Sequence, residues 1–217
     1  MRISYFLSGF GEESGFPPAL AAALQRDLPR RDTLLLIASS PGGYEKTDRY
    51  KNGVIRWFEK AGMVFETCLL LDDRMDGAQA LAAIHSASCI FLMGGDTLAQ
   101  FAFLQESGLT HALKNTGAVV AGMSAGAINM AVDSLCTKDR FNAQTTLYKG
   151  IGRADITMEP HFSMENSPLM EELKQLSMDR TIYALCDGSA ITVRGGEVLF
   201  LGEIYRIRGG QVERLGV

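Results

Sequence analysis

Short hydrophobic runs alternate with longer segments in which apolar residues recur at helical spacing. The short runs predict buried strands, and the longer segments predict helices between them. The strands are predicted at residues 3–8, 33–38, 63–70, 89–93 and 118–121, and the helices at 17–26, 47–60, 77–85 and 97–115, the last broken near Gly108. This alternation predicts a three-layer α/β fold with a mostly parallel, doubly wound sheet.

The pattern becomes less regular after residue 124. A helix is predicted at 125–132, followed by an irregular stretch, 133–159, with a strand at 154–158. A helix at 167–176 and a strand at 181–185 precede a short β-rich tail, 190–217, with glycine turns at 195–196 and 209–210. Because no repeat, low-complexity segment or linker interrupts the chain, we predict a single domain spanning residues 1–217.

Composition narrows the classes of partner. The 217 residues carry a net charge of −4 and no long basic run, which argues against nucleic acid. No apolar run reaches the roughly 18 residues of a membrane span, and glycines break the N-terminal run where a signal peptide would continue. The four cysteines lack the CxxC spacing of a zinc site. We therefore expect a cytoplasmic protein with reduced thiols, and the sequence leaves the oligomeric state, including a homodimer, open.

A nucleophile turn is the clearest chemical signal. Residues 118–126 read AVVAGMSAG, so an apolar strand enters G-x-S-x-G and a small-residue helix follows. In this strand–turn–helix setting the serine hydroxyl is exposed on a tight turn, and the small neighbours let the strand and helix pass closely. Ser124 is therefore the predicted nucleophile, and the N–H of Ala125 the predicted oxyanion donor.

A second glycine turn follows another buried strand, in IFLMGGDT at residues 90–97. Because the carboxyl ends of parallel strands share one edge, this turn should lie beside Ser124. Gly94 or Gly95 then supplies the second oxyanion N–H, and Asp96 or Thr97 caps the following helix, two roles of the turn that are compatible.

The predicted base follows by elimination among three histidines. His85 falls in a helix–strand connection and His111 in an amphipathic helix, both predicted at the surface, whereas His161 stands in a loop after a predicted strand. Two carboxylates remain open as the acid that orients it. Asp187 follows the apolar strand TIYALC and is favoured, and Asp139, in TKDRF, is the rival.

These motifs resemble a known family. GMSAGA, the preceding GGDT turn and the later P-H-F histidine are similar to those of the S51 serine peptidases, which include aspartyl dipeptidase and cyanophycinase. The resemblance implies a flavodoxin-like sheet close to that of the class I glutamine amidotransferases. It assigns Ser124 as nucleophile, His161 as base and residues 94–97 as the substrate and oxyanion loop. Asp187 matches an acid that is Glu in the family, and Asp139 matches another carboxylate implicated in activity.

One feature departs from the family. Aspartyl dipeptidases are expected to hold the substrate aspartate with an arginine after the histidine, but residues 161–179 contain none. Arg140, Arg153 and Arg194 are the candidate substitutes. The Asp specificity is therefore in doubt.

The sequence thus predicts a serine hydrolase that cleaves short peptides through an acyl-enzyme, without a metal or organic cofactor. An α/β-hydrolase esterase is disfavoured because too few residues separate Ser124 from His161. An amidotransferase would carry cysteine at the turn. A non-catalytic binding protein on the same fold is the alternative from another class.

Overall fold

The computed structural model describes residues 2–11 and 13–216. Its strands in chain order are β1 (Ile3–Leu7), β2 (Thr33–Ile37), β3 (Thr67–Leu71), β4 (Cys89–Leu92), β5 (Val119–Met123), β6 (Asp133–Cys136), β7 (Thr146–Lys149), β8 (Met158–Glu159), β9 (Thr181–Leu185), β10 (Ala190–Arg194), β11 (Glu197–Leu201), β12 (Ile204–Arg208) and β13 (Gln211–Arg214). The helices are α1 (Pro18–Asp27), α2 (Tyr44–Lys60), α3 (Gly77–Ser86), α4 (Thr97–Glu106), α5 (Thr110–Asn115), α6 (Ala125–Met130) and α7 (Ser167–Leu176).

The main sheet has seven strands in the order β11-β10-β1-β5-β4-β2-β3. The first five strands of the chain run parallel, and the β10–β11 hairpin adds two antiparallel strands at one edge. The predicted three-layer, mostly parallel α/β fold is confirmed. All five parallel strands therefore present their carboxyl ends at one edge of the sheet, where ligands bind in such folds.

Alternate residues of the parallel strands point to opposite faces of the sheet. Tyr5 and Leu7 pack with the apolar sides of α1 and α2, whereas Phe6 packs on the other face with α3 to α6. Both faces are buried, which is why the strands read as continuous hydrophobic runs.

A smaller sheet lies beside the main one. Its order is β13-β12-β9-β8, and α7 covers it through Met170 and Leu173. The hairpin of β6 and β7 forms a third, two-stranded sheet. The strands of the predicted β-rich tail are thus shared between two sheets, because β10 and β11 join the main sheet and β12 and β13 join the smaller one.

The irregular stretch was predicted least well. The strand expected at 154–158 is wrong, because Ala154 makes an isolated bridge to Ala131 and the ladder with β9 is confined to Met158–Glu159. The hairpin Asp133–Cys136 with Thr146–Lys149 was missed, since β7 is half-exposed and short. The strand expected from residue 63 begins at Thr67, because Met63 is a buried loop residue hydrogen-bonded to Phe58 of α2.

None of the helices in the described residues combines the length and the apolar character needed to cross a bilayer.

Candidate active site

Ser124 stands on the sharp turn between β5 and α6. Its backbone angles are φ 50° and ψ −110°, a region that non-glycine residues rarely occupy. Within the described residues, His161 is the other non-glycine residue with a positive φ. The Ser124 N–H donates to the carbonyl of Leu7 at 2.9 Å, which ties the turn to the end of β1. Strain of this kind persists where the surrounding structure enforces it, and it often marks a functional site.

Two glycines allow the strand and the helix of this turn to approach. A Cβ added to Gly122 would lie 2.5 Å from the backbone of Gly126, and one added to Gly126 would lie 2.3 Å from the carbonyl oxygen of Leu92. Real Cβ atoms do not come so close to backbone. The small residues of the G-x-S-x-G motif are therefore required by packing.

His161 follows β8 and reaches Ser124 from the smaller sheet. Its Nε2 lies 2.9 Å from Ser124 Oγ. The backbone N–H of His161 donates to the buried hydroxyl of Ser8 at 2.8 Å, which holds the residue at φ 55°. The end of β1 therefore supports the histidine as well as the serine.

Asp187 lies in the turn that follows β9. Its Oδ1 is 2.7 Å from His161 Nδ1 and accepts the N–H of Gly9 at 3.0 Å. A Cβ on Gly9 would lie 2.5 Å from His161 Cε1 and 2.6 Å from Asp187 Oδ1. A residue without a side chain is needed at this position for the two groups to meet.

The rival carboxylate has other partners. Asp139 Oδ1 accepts the backbone N–H groups of Phe141 and Asn142 and the side-chain amide of Asn142, at 2.7–2.9 Å. Asp139 lines the same cleft as Ser124 and His161. Its carboxylate organises its own loop, whereas the Asp187 carboxylate contacts the histidine.

The second glycine turn lies beside the serine, as its position after β4 predicts. A Cβ on Gly94 would be 3.5 Å from Ser124 Cβ, and Gly95 lines the cleft. Asp96 caps α4 by accepting the N–H of Ala99 at 3.0 Å. Gly94 therefore lies next to Ser124 and Gly95 lines the cleft, whereas the Asp96 side chain is engaged in the helix cap.

The cleft that contains Ser124 and His161 has a volume of about 370 Å³. Residues from the β4–α4 turn, the segment after β6, the end of β8 and α7 line it, including Thr137, Lys138, Glu159 and Glu172. Sites for small organic molecules begin at about this size. The cleft is large enough for a small ligand, and His161 in its lining is exposed.

None of the three candidate arginines lines this cleft. Arg153 is buried and donates to backbone carbonyls, among them those of Leu113 and Thr116. Arg194 pairs with Asp27, and the guanidinium of Arg140 stacks on Phe141. His85 and His111 are exposed on their helices, as predicted.

Sequence reasoning missed three residues at the site. Ser8 and Gly9 contact the histidine and the aspartate, and Glu159 lines the cleft while being buried. Ser8 and Gly9 lie at the carboxyl end of a predicted parallel strand, which is a signal that could have marked them. Nothing in the local sequence indicates that the carboxyl group of Glu159 is buried.

The fold and the site define a three-layer α/β protein with a serine, a histidine and a carboxylate in hydrogen-bond contact at the carboxyl edge of its parallel strands. The family model described as Peptidase family S51 matches residues 19–201, so the chain belongs to that peptidase family, and a hydrolase function follows.

Two solved structures share the fold. The crystal structure of a peptidase from an acI-B1 Actinobacterium has a TM-score of 0.73 at 16% identity, covering 100% of this chain and 94% of that one. The crystal structure of a putative peptidase E protein from Listeria monocytogenes EGD-e has a TM-score of 0.67 at 18% identity, covering 93% of this chain and 98% of that one. No curated protein matches the sequence.

Proposed function

We propose that the protein is a serine peptidase that hydrolyses short peptides, with Ser124 as nucleophile, His161 as general base and Asp187 as the orienting acid. One observation carries the proposal. The hydrogen bonds Ser124–His161 and His161–Asp187, at 2.9 and 2.7 Å, form a continuous chain that ends on a strained serine. This is the geometry by which a serine hydroxyl is activated on many unrelated folds.

The mechanism follows from that chain. With its proton on Nδ1, bonded to Asp187, the imidazole accepts the Ser124 proton at Nε2 while Oγ bonds to the scissile carbonyl carbon. The tetrahedral intermediate collapses as His161 donates that proton to the leaving amine, and the C–N bond breaks. Water then attacks the acyl-enzyme by the same steps and releases the acid. These steps require no metal or organic cofactor.

The developing oxyanion needs two N–H donors. Ala125 is the first residue of α6, so its N–H has no partner within the helix, and Gly95 faces the same cleft. We assign both N–H groups to the oxyanion. Removing one such donor typically lowers kcat about 10²–10³-fold.

The small cleft supports short peptides as substrates. Because the candidate arginines lie elsewhere, the requirement for an N-terminal aspartate is not part of the proposal. The cysteines of the described residues are free thiols, which suits a reducing compartment, and we place the peptidase in the cytoplasm.

A serine-directed fluorophosphonate probe and a dipeptide panel test the proposal. We expect labelling of the wild-type protein, hydrolysis of at least one dipeptide among Asp-X, Glu-X, Ala-X and Lys-X, and loss of both in Ser124→Ala, with kcat lower by at least about 10³-fold. A folded wild-type protein that neither reacts with the probe nor cleaves any peptide would favour a binding protein instead.

A further inference from the structure

Glu159 is a buried acid in the wall of the cleft. Its side chain sits at the end of β8, two residues before His161, and the residue is 6% exposed. Oε1 accepts the hydroxyl of Thr137 at 3.0 Å. Oε2 is buried and has no hydrogen-bond partner among residues 2–11 and 13–216. A buried carboxyl oxygen without a partner is costly, and because Glu159 lines the cleft, a ligand bound there can supply the missing partner.

The surrounding charges add to the negative character of the cleft. Asp139 and Glu172 also line it, and both lie close enough to Glu159 to disfavour its ionised form. Lys138 also lines the cleft and forms no ion pair with any residue that the structure describes. Three acidic residues therefore line the cleft together with one lysine and His161.

Burial raises the pKa of Glu159, the Thr137 hydrogen bond opposes the shift, and the Glu172 and Asp139 carboxylates add to it, so that together they raise the pKa to about 8. Without a ligand, the group is therefore largely protonated at neutral pH. A cation placed at Oε2 would favour the ionised carboxylate and offset the free-energy cost of its desolvation.

A short peptide carries its charges at opposite ends. The half that supplies the scissile carbonyl bears the α-ammonium, and the leaving half bears the terminal carboxylate. A cleft lined by acids attracts the first half and repels the second.

We propose that Glu159 is the counter-ion for a positively charged group on the acyl half of the substrate, either the α-ammonium or a side-chain amine or guanidinium. The inference rests on the proposed peptidase function. It makes Glu159 a specificity residue in a cleft whose lining, among the described residues, includes no arginine that could select an acidic side chain.

Binding to the inactive Ser124→Ala protein tests this without hydrolysis. Calorimetry would compare four ligands: Lys-Ala, norleucyl-Ala, N-acetyl-Lys-Ala and N-acetyl-norleucyl-Ala. In that order, the ligands carry both ammonium groups, the α-ammonium alone, the side-chain ammonium alone and no ammonium group. We expect at least one singly charged ligand to bind about tenfold or more tightly than the neutral one, since a charge-assisted hydrogen bond contributes an effect of this size. The ligand that shows the gain identifies the source of the cation.

Glu159→Gln, added to Ser124→Ala, should abolish that gain. Glu171→Gln is the matched control, because Glu171 is exposed on α7 and pairs with Lys174 outside the cleft lining. At pH 7 the cationic ligand should also release a proton from Glu159, seen as a binding enthalpy that depends on the buffer. Equal affinities of all four ligands, or a gain that survives Glu159→Gln, would overturn the inference.

The outcome is separable from that of the proposed function. A wild-type protein that cleaves peptides with no dependence on Glu159 contradicts the counter-ion alone. A protein that binds cations through Glu159 but never reacts at Ser124 contradicts the peptidase alone.

Discussion

The backbone N–H of His161 donates a 2.8 Å hydrogen bond to the hydroxyl of Ser8. This is one of three hydrogen bonds made to the site by the successive residues Leu7, Ser8 and Gly9 at the end of β1. The Leu7 carbonyl accepts the N–H of Ser124, and the Gly9 N–H donates to Asp187. A single strand end in the middle of the main sheet thus positions the three side chains that we propose as catalytic. Geometry held in this way resists displacement, which is what proximity effects require.

Gly9→Ala should disrupt this arrangement while the fold survives. The new Cβ would overlap His161 Cε1 and Asp187 Oδ1, so the imidazole must move away from Ser124. A displacement of about 1 Å can lower kcat by roughly 10²-fold. Steady-state kinetics, with circular dichroism to verify folding, provide the measurement. Gly53→Ala is the control, because a Cβ there meets nothing within 4 Å, and its kcat should match the wild type. Full activity in Gly9→Ala would contradict the assigned role of the histidine.

The two candidate acids can be separated by isosteric substitutions. Asp187→Asn replaces the acceptor of His161 Nδ1, and we expect kcat to fall by about 10²–10⁴-fold. Asp139→Asn retains an oxygen that can accept the N–H groups of its own loop, so we expect a loss below about tenfold. Both variants should be measured with the same peptide and at several pH values. The reverse order of effects would make Asp139 the acid.

The parts of the fold predicted from sequence are those whose pattern is local. Buried parallel strands are uniformly apolar, so β1, β2 and β4 are recognisable from the sequence, and α7 and β9 match their predicted bounds. The β6–β7 hairpin is short and half-exposed, and it lacks a comparable signal. Apolar periodicity likewise cannot tell a strand residue from a buried loop residue such as Met63.

The residues of the candidate site likewise fall into those with a local sequence signal and those without one. Ser124 stands in a local motif, and His161 and Asp187 follow strand-like segments, so each could be proposed from the sequence. Gly9 and Glu159 depend on how distant segments meet. Gly9 is required because a histidine and an aspartate from other elements approach it, and the burial of Glu159 arises from the packing of the cleft wall.

Arg153 should prove structural rather than substrate-binding. Its guanidinium donates to the carbonyls of Ile3, Leu113, Lys114 and Thr116 and to the hydroxyl of Ser4. Substitution by methionine leaves several of these acceptors unpaired, so we expect the free energy of unfolding to fall by about 3 kcal/mol or more. The ratio of kcat/KM values for Asp-X and Lys-X peptides should not change. Arg56→Met, at an exposed helix position, should stay within about 0.5 kcal/mol of the wild type. A selective loss of Asp-X cleavage in the Arg153 variant would instead place it in substrate recognition.

The buried acid of the cleft should make stability depend on pH. The pKa of Glu159 is raised from 4.5 to about 8 on folding, so the folded state binds more protons than the unfolded state between these values. Its contribution is therefore fully present below about pH 4.5 and is lost as the pH rises through 8. Such a shift corresponds to a loss on the order of 5 kcal/mol that is complete by about pH 9, and roughly half of it falls between pH 6 and pH 9. Urea unfolding at pH 6 and pH 9 measures the difference.

Glu159→Gln cannot ionise, so its free energy of unfolding should fall much less between the same two pH values. At pH 9 the variant should be the more stable protein, because it avoids a buried carboxylate without a counter-ion. Glu171→Gln, which alters an exposed carboxylate on α7, should follow the wild-type pH dependence. If the free energy of unfolding of the wild type and of Glu159→Gln changed with pH in the same way, Glu159 would already be ionised at neutral pH. Its Oε2 would then have a hydrogen-bond partner in solution.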